Sequence, residues 1–225
     1  MRLFYALPLP LEVQNALEVA QKKLRGNWRA VRPDHLHITF AFLPKAPEGA
    51  LQTLVKLGHK VGRNFAPFKV RLRGTGYFPG AGSPRVWFVK AEALLSGGEE
   101  GDEMGLISSE LRSGLTLPFE DKPFKAHITL ARKKGPAPRL EPMIFPLEWE
   151  AEEFVLIESQ LHKSGPEYRT IKKFSLTGPK RPPKPLEPER LPEAEASRVS
   201  PLEPEELEVP SLLEPSQTNP QPNDL

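Results

Sequence analysis

Apolar residues come in short blocks over the first 178 residues and are scattered thereafter. The block Arg2–Leu7, closed by Pro8, reads as a buried strand. Val13, Leu17, Ala20 and Leu24 recur at helical spacing and predict an amphipathic helix from about Leu11 to Arg25. Leu36–Leu43 is a second strand, and Pro47 opens a second helix with Leu51, Leu54, Val55 and Val61 on one face. Strands follow at Phe68–Tyr77 and Arg85–Lys90. The glycine- and acid-rich stretch Ser96–Glu103 predicts a loop leading into a short helix around Leu106–Leu111. Strands resume at Ala126–Arg132, Glu152–His162 and Tyr168–Leu176. Strands interleaved with a few helices in one continuous stretch make the fold α+β or mixed α/β.

Composition divides the chain at Pro179. From there to Leu225 lie 12 of the 27 prolines, with ten acidic residues against five basic ones, a net of −5. The chain total of +2 leaves +7 on residues 1–178. Low hydrophobicity and dense proline cannot offset the entropy of ordering, so residues 179–225 are expected to be a disordered tail behind a folded domain of residues 1–178. The positive domain suits an anionic ligand, although ordinary surface lysine and arginine give the same total. The chain has no cysteine, which excludes disulfides, thiolate nucleophiles and Cys-based zinc sites. Pro8, Pro10 and Glu12 interrupt the apolar start, so it is read as a strand rather than a signal peptide. No apolar run approaches the ~20 residues that span a bilayer. A cytoplasmic protein, without membrane attachment and monomeric, is expected.

The chemistry is suggested by an echo. His37-Ile38-Thr39-Phe40-Ala41 recurs as His127-Ile128-Thr129-Leu130-Ala131. On a strand, residues i and i+2 share a face, so each histidine stands beside its threonine while the isoleucine between them enters the core. Two such strands side by side would bring two imidazoles and two hydroxyls to one cleft. Imidazole titrates near pH ~6.5, so one ring can act as base while the other acts as acid. The hydroxyls can donate to phosphate oxygens. A single strand histidine is more often a satisfied half-buried ring; the repeated pair argues against that reading here. A zinc site would need further ligands, and neither motif has a carboxylate at i+3 or i+4. No Gly-x-Ser-x-Gly elbow is present for serine catalysis.

With these flanks the sequence resembles the two-histidine (2H) phosphoesterases, specifically the bacterial and archaeal RNA 2′,3′-cyclic phosphodiesterases, also called 2′-5′ RNA ligases. The resemblance covers about residues 1–177 and includes the opening Arg2-Leu3-Phe4-Tyr5-Ala6-Leu7-Pro8-Leu9-Pro10. It runs through Trp28-Arg29-x-x-Arg32-Pro33-x-x-Leu36-His37-Ile38-Thr39, Gly74-x-Gly76-x-Phe78-Pro79 and Pro84-Arg85-Val86-Trp87. It continues in Pro123-Phe124-x-x-His127-Ile128-Thr129-Leu130-Ala131-Arg132 and Glu158-Ser159-x-Leu161-x-x-x-Gly165-Pro166-x-Tyr168. The resemblance implies a bilobal α+β fold: two pseudo-symmetric halves with antiparallel sheets around a central cleft, and helices outside. It implies hydrolysis of RNA 2′,3′-cyclic phosphate ends to 2′-phosphomonoesters, with reversible 2′-5′ ligation as a side activity. No metal and no other cofactor is implied, and the partners are RNA ends or small cyclic nucleotides. By matching positions His37 is the proton donor, His127 the proton acceptor, and Thr39 and Thr129 complete the catalytic set. Arg132 is expected at the phosphate and Phe4 in the base pocket. Pro44, where the family commonly has glycine, and the stretch Ser96–Glu103 depart from its pattern at the rim.

The remaining candidates are read more plainly. His35 is expected to face away from His37 and, like His59, to be solvated; His162 is expected to be structural at a hairpin. Gly74-x-Gly76 is too short for a dinucleotide loop and is expected to ease a strand bend. The alternative function is a non-catalytic nucleotide- or RNA-binding module on the same fold.

Overall fold

In the computed structural model of the chain, the residues described are 1–95, 98–133, 135, 137–163 and 165–180. Apart from Pro179 and Lys180, the expected tail lies outside them. The elements in order are β1 (Leu3–Pro8), α1 (Leu11–Gln21), β2 (Trp28–Ala30), β3 (His37–Leu43), α2 (Leu51–Gly62), β4 (Phe68–Phe78), β5 (Val86–Leu94) and β6 (Glu100–Gly101). They continue with α3 (Glu103–Ser113), β7 (His127–Lys133), β8 (Glu148–Ala151), β9 (Glu153–His162) and β10 (Gly165–Ser175). Short 3₁₀ turns at Pro33–His35 and Glu48–Ala50 precede β3 and α2.

Local chemistry explains where these elements depart from the sequence pattern. Helix α1 stops short of Arg25 because Lys23 and Leu24 donate to Ala20 and Gln21 in tightening turns, and Gly26 then takes φ 68°. Helix α3 begins at Glu103, before the apolar positions; the Leu106 amide donates to the Asp102 carbonyl, and Glu103 suits the positive helix start. Strands β2 and β8 span three and four residues, too short to show a period.

All strand pairs are antiparallel, in the order β10-β9-β1-β3-β7-β5-β4-β8, with β2 beside β7 and β6 beside β5. The main path of the sheet therefore divides into two runs of four strands, each ending centrally in a His-x-Thr strand. The halves meet where β3 and β7 share a single register pair, Ile38 with Ile128. This is the α+β, two-halved architecture expected, with the halves joined as one sheet. Helix α2 packs on β9 and β10, while α1 packs on β7, and α3 touches α2, β3 and β5. Gly58 lets α2 sit close to the sheet, since a Cβ there would lie 2.4 Å from the Phe174 ring. The core under the helices is built from Tyr5, Ile38, Phe40, Trp87, Ile128, Leu130 and Phe154, among others. The Tyr5 hydroxyl, buried there, donates to the Leu54 carbonyl at 2.6 Å.

Candidate active site

An antiparallel register pair has a local two-fold axis, and the axis through Ile38 and Ile128 carries His37 onto His127 and Thr39 onto Thr129. With both isoleucines fully buried, the four polar residues occupy the opposite face of the sheet and are only partly covered. The echo read in the sequence is thus a spatial symmetry.

The symmetry extends to a β-bulge in each strand. Tyr5 and Ala6 of β1 pair with Ala41 and Thr39, leaving Phe40 extra; Trp87 and Phe88 of β5 pair with Ala131 and Thr129, leaving Leu130 extra. Two consecutive residues of each strand, Phe40-Ala41 and Leu130-Ala131, are therefore buried, and the alternation is re-phased beyond them. Strict alternation would place Arg132 with Ile128 and Leu130 in the core. The bulge turns it to the histidine face instead, and Phe42 is its counterpart in β3.

Both imidazoles are oriented alike. His37 Nδ1 lies 2.7 Å from the His35 carbonyl oxygen, and His127 Nδ1 lies 2.6 Å from that of Lys125. A carbonyl only accepts, so each Nδ1 carries the proton and each Nε2 is left for chemistry. His37 Nε2 is 3.0 Å from Thr39 Oγ1. Among the described residues, neither His127 Nε2 nor the Thr129 hydroxyl has a hydrogen-bond partner. Burial lowers the His37 pKa to about 4, against the opposing effect of its bond to the His35 carbonyl; the charges of His35, His127 and Arg132 lower it further. Burial also lowers the His127 pKa, with Arg132 adding to the effect. Arg132 thus lies within electrostatic reach of both rings. The surroundings thus favour the neutral form of both imidazoles.

Each ring rests on aromatics. His37 meets Phe4 at 4.8 Å and Tyr168 at 5.7 Å between centroids; His127 meets Phe78 at 5.0 Å and Phe88 at 5.4 Å. Phe4, only 3% exposed, forms the floor between His37 and Tyr168. His35 is not solvated. The 3₁₀ turn at Pro33–His35 tucks its ring, 7% exposed, against Tyr168 at 4.2 Å, because strand alternation does not reach back beyond His37. His59 is exposed with its ring edge against Phe174, and His162 pairs with Glu167 at 3.2 Å across the β9–β10 hairpin. Gly74 lies in a third bulge, between Leu72 and Thr75 of β4, while Gly76 leaves room for the Phe88 ring. Sequence reasoning passes over Phe42, Phe78, Phe88 and Tyr168 as site residues. Phe78 and Tyr168 stand in the quoted motifs, but nothing in the sequence locates the bulges.

Comparison with known proteins identifies the family and supports the fold. A family model described as "LigT like Phosphoesterase" matches residues 7–88 and 98–168. The RNA 2′,3′-cyclic phosphodiesterase of Thermus thermophilus is 51% identical over 185 residues, 79% of this chain and 91% of that protein. The protein of the same name from Archaeoglobus fulgidus is 33% identical, covering 77% of this chain and 99% of its own. Among solved structures, TT0787 of Thermus thermophilus superposes with a TM-score of 0.73 at 48% identity, covering 79% of this chain and 99% of that one. Escherichia coli LigT complexed with 3′-AMP superposes at 0.66 with 25% identity, covering 78% and 98%. The chain belongs to the LigT-like phosphoesterase family of the two-histidine superfamily.

Proposed function

We propose that this chain hydrolyses RNA 2′,3′-cyclic phosphate ends to 2′-phosphomonoesters without a metal ion, with reversible 2′-5′ ligation as a side activity in which a 5′-hydroxyl takes the place of water and the 3′ oxygen again leaves. The observation that carries the reading is the two-fold arrangement of imidazoles, each with Nδ1 held by a backbone carbonyl and Nε2 toward the cleft. Opening the cyclic diester to a 2′-phosphate needs water in line with the departing 3′ oxygen, so base and acid must stand on opposite sides of phosphorus. Residues related by a two-fold axis meet that need. His127, whose Nε2 has no partner among the described residues, takes the proton from water; His37 gives one to the 3′ oxygen. Arg132 supplies the charge opposite the phosphate, and Thr39 and Thr129 donate to its oxygens. The anionic diester raises the His37 pKa, which is low in the free site, and so loads the acid as substrate binds.

Metal independence rests on the donor set, since the pair is joined by a guanidinium rather than a carboxylate. Both motifs come from one chain, so a monomer has a complete site. The test is incubation with a 2′,3′-cyclic nucleotide, with and without EDTA. A 2′-phosphate product at unchanged rate is expected. A 3′-phosphate product, or loss on chelation restored by zinc or manganese, contradicts the mechanism; no turnover would favour a binding module.

A further inference from the structure

The bulges that shape this cleft are held from behind by two buried polar side chains. Gln21, at the end of α1 and 6% exposed, donates both amide hydrogens: to the Leu130 carbonyl at 2.8 Å and to the Val31 carbonyl at 2.8 Å. Leu130 is the extra residue of the β7 bulge. In the other half Ser108, on α3 and fully buried, donates to the Phe40 carbonyl at 2.7 Å, and Phe40 is the extra residue of the β3 bulge. The residue added by a bulge stands outside the ladder, and a buried carbonyl without a donor costs ~1–3 kcal/mol. The two strands thus share a sequence motif, a bulge at the same place and a helix-borne donor to the bulged carbonyl. Val31 adds its own amide to Leu130 at 2.9 Å, and Arg112 Nε lies 3.4 Å from the Phe40 oxygen.

We propose that Gln21 and Ser108 are positioning residues: by holding the bulged carbonyls of Leu130 and Phe40 they keep the strands re-phased, so that Arg132 and Phe42 face the cleft. The claim rests on reading the cleft as a phosphate site. Gln21 acts through Arg132. Without the Gln21 amide the Leu130 carbonyl keeps only the Val31 amide, and the clamp joining the Leu130 and Val31 carbonyls is lost; β7 then relaxes toward plain alternation, which withdraws the guanidinium from both imidazoles. Ser108 acts through Phe42, which packs on Phe4 beneath His37.

Gln21→Met keeps the length of the side chain and removes both donors. Affinity for inorganic phosphate and the His127 titration, both followed by imidazole NMR, are expected to change together. Phosphate binding weakens about 10–100-fold and the His127 pKa rises, as also in Arg132→Ala. In the Arg132→Ala background Gln21→Met adds no more than about two-fold, because both act on the same contact. A Gln21→Met protein that melts earlier yet binds phosphate and titrates as the parent does would overturn the proposal, as would full additivity with Arg132→Ala. Should Gln21→Met not fold, Ser108→Ala decides: an upward shift of the His37 titration supports the proposal and an unchanged one refutes it. None of these readouts needs turnover, so an inactive parent would count against the reaction and not against the positioning role.

Discussion

His37 is held neutral by its surroundings, and this ties activity and stability to pH in opposite senses. Its folded pKa, about 4, lies below the unfolded value of 6.5. A depressed histidine stabilises the fold fully above the unfolded pKa and loses that contribution as pH falls toward the folded one. The span corresponds to roughly 3 kcal/mol. Chemical denaturation should therefore show stability falling between pH 6.5 and about 4, and His37→Gln should flatten that fall. Imidazole NMR should find His37 neutral well below pH ~6 in the free protein and shifted upward by added phosphate. In turnover, His37→Ala and His127→Ala should each lower kcat by about 10²–10⁴-fold in folded protein. Thr39→Ala and Thr129→Ala should cost less, because each removes one neutral hydrogen bond.

At the scale of elements, the site depends on strands that break their own period. The His-x-Thr echo was legible because the first three residues of each motif still alternate, and so were the strands bearing it. Phe42 and Arg132 were not legible as partners, because a bulge leaves no mark in composition and reverses the face of everything after it. Resemblance placed Arg132 at the phosphate; alternation alone would have buried it. The aromatic bed of His127 has a similar hidden dependence, on Gly76. A Cβ there would come 2.7 Å from the Phe88 ring, which stacks on Phe78 at 4.1 Å and touches His127. Gly76→Ala should cost about 1–3 kcal/mol in thermal or chemical unfolding and lower kcat/KM. At Gly74 the nearest atom to a new Cβ is the Met143 oxygen at 3.6 Å, so Gly74→Ala should be milder in both measurements.

At the scale of the whole molecule, the halves are spatially tidy and sequentially interleaved. The last β-strand leads into Leu176, Thr177 and Gly178, whose amides donate to the carbonyls of Glu152, Gly62 and Phe65. The domain is fastened there, just ahead of the acidic, proline-rich sequence. A chain ending at Lys180 should melt within about 1 °C of the full-length protein and turn over a mononucleotide substrate equally well; a fall in either measurement would assign the tail a role in the domain. Weaker binding of long RNA by the full-length chain alone would instead point to electrostatic screening by residues 181–225, whose ten acidic and four basic residues give a net charge of −6.

The placement of β1 has a consequence for synthesis. This strand precedes the other described strands in the chain, yet it lies between β3 and β9, with Leu3 opposite both Leu43 and Glu158. Its β3 side can be covered early. The partner for its other side is still untranslated for roughly 8–30 s at about 5–20 residues per second. Through that interval the nascent chain presents an unpaired apolar edge, Leu3-Phe4-Tyr5-Ala6, of the kind that recruits neighbouring chains. Ribosome-bound chains stopped before Phe154 should therefore bind holdase chaperones, and release them once the strand through His162 has emerged.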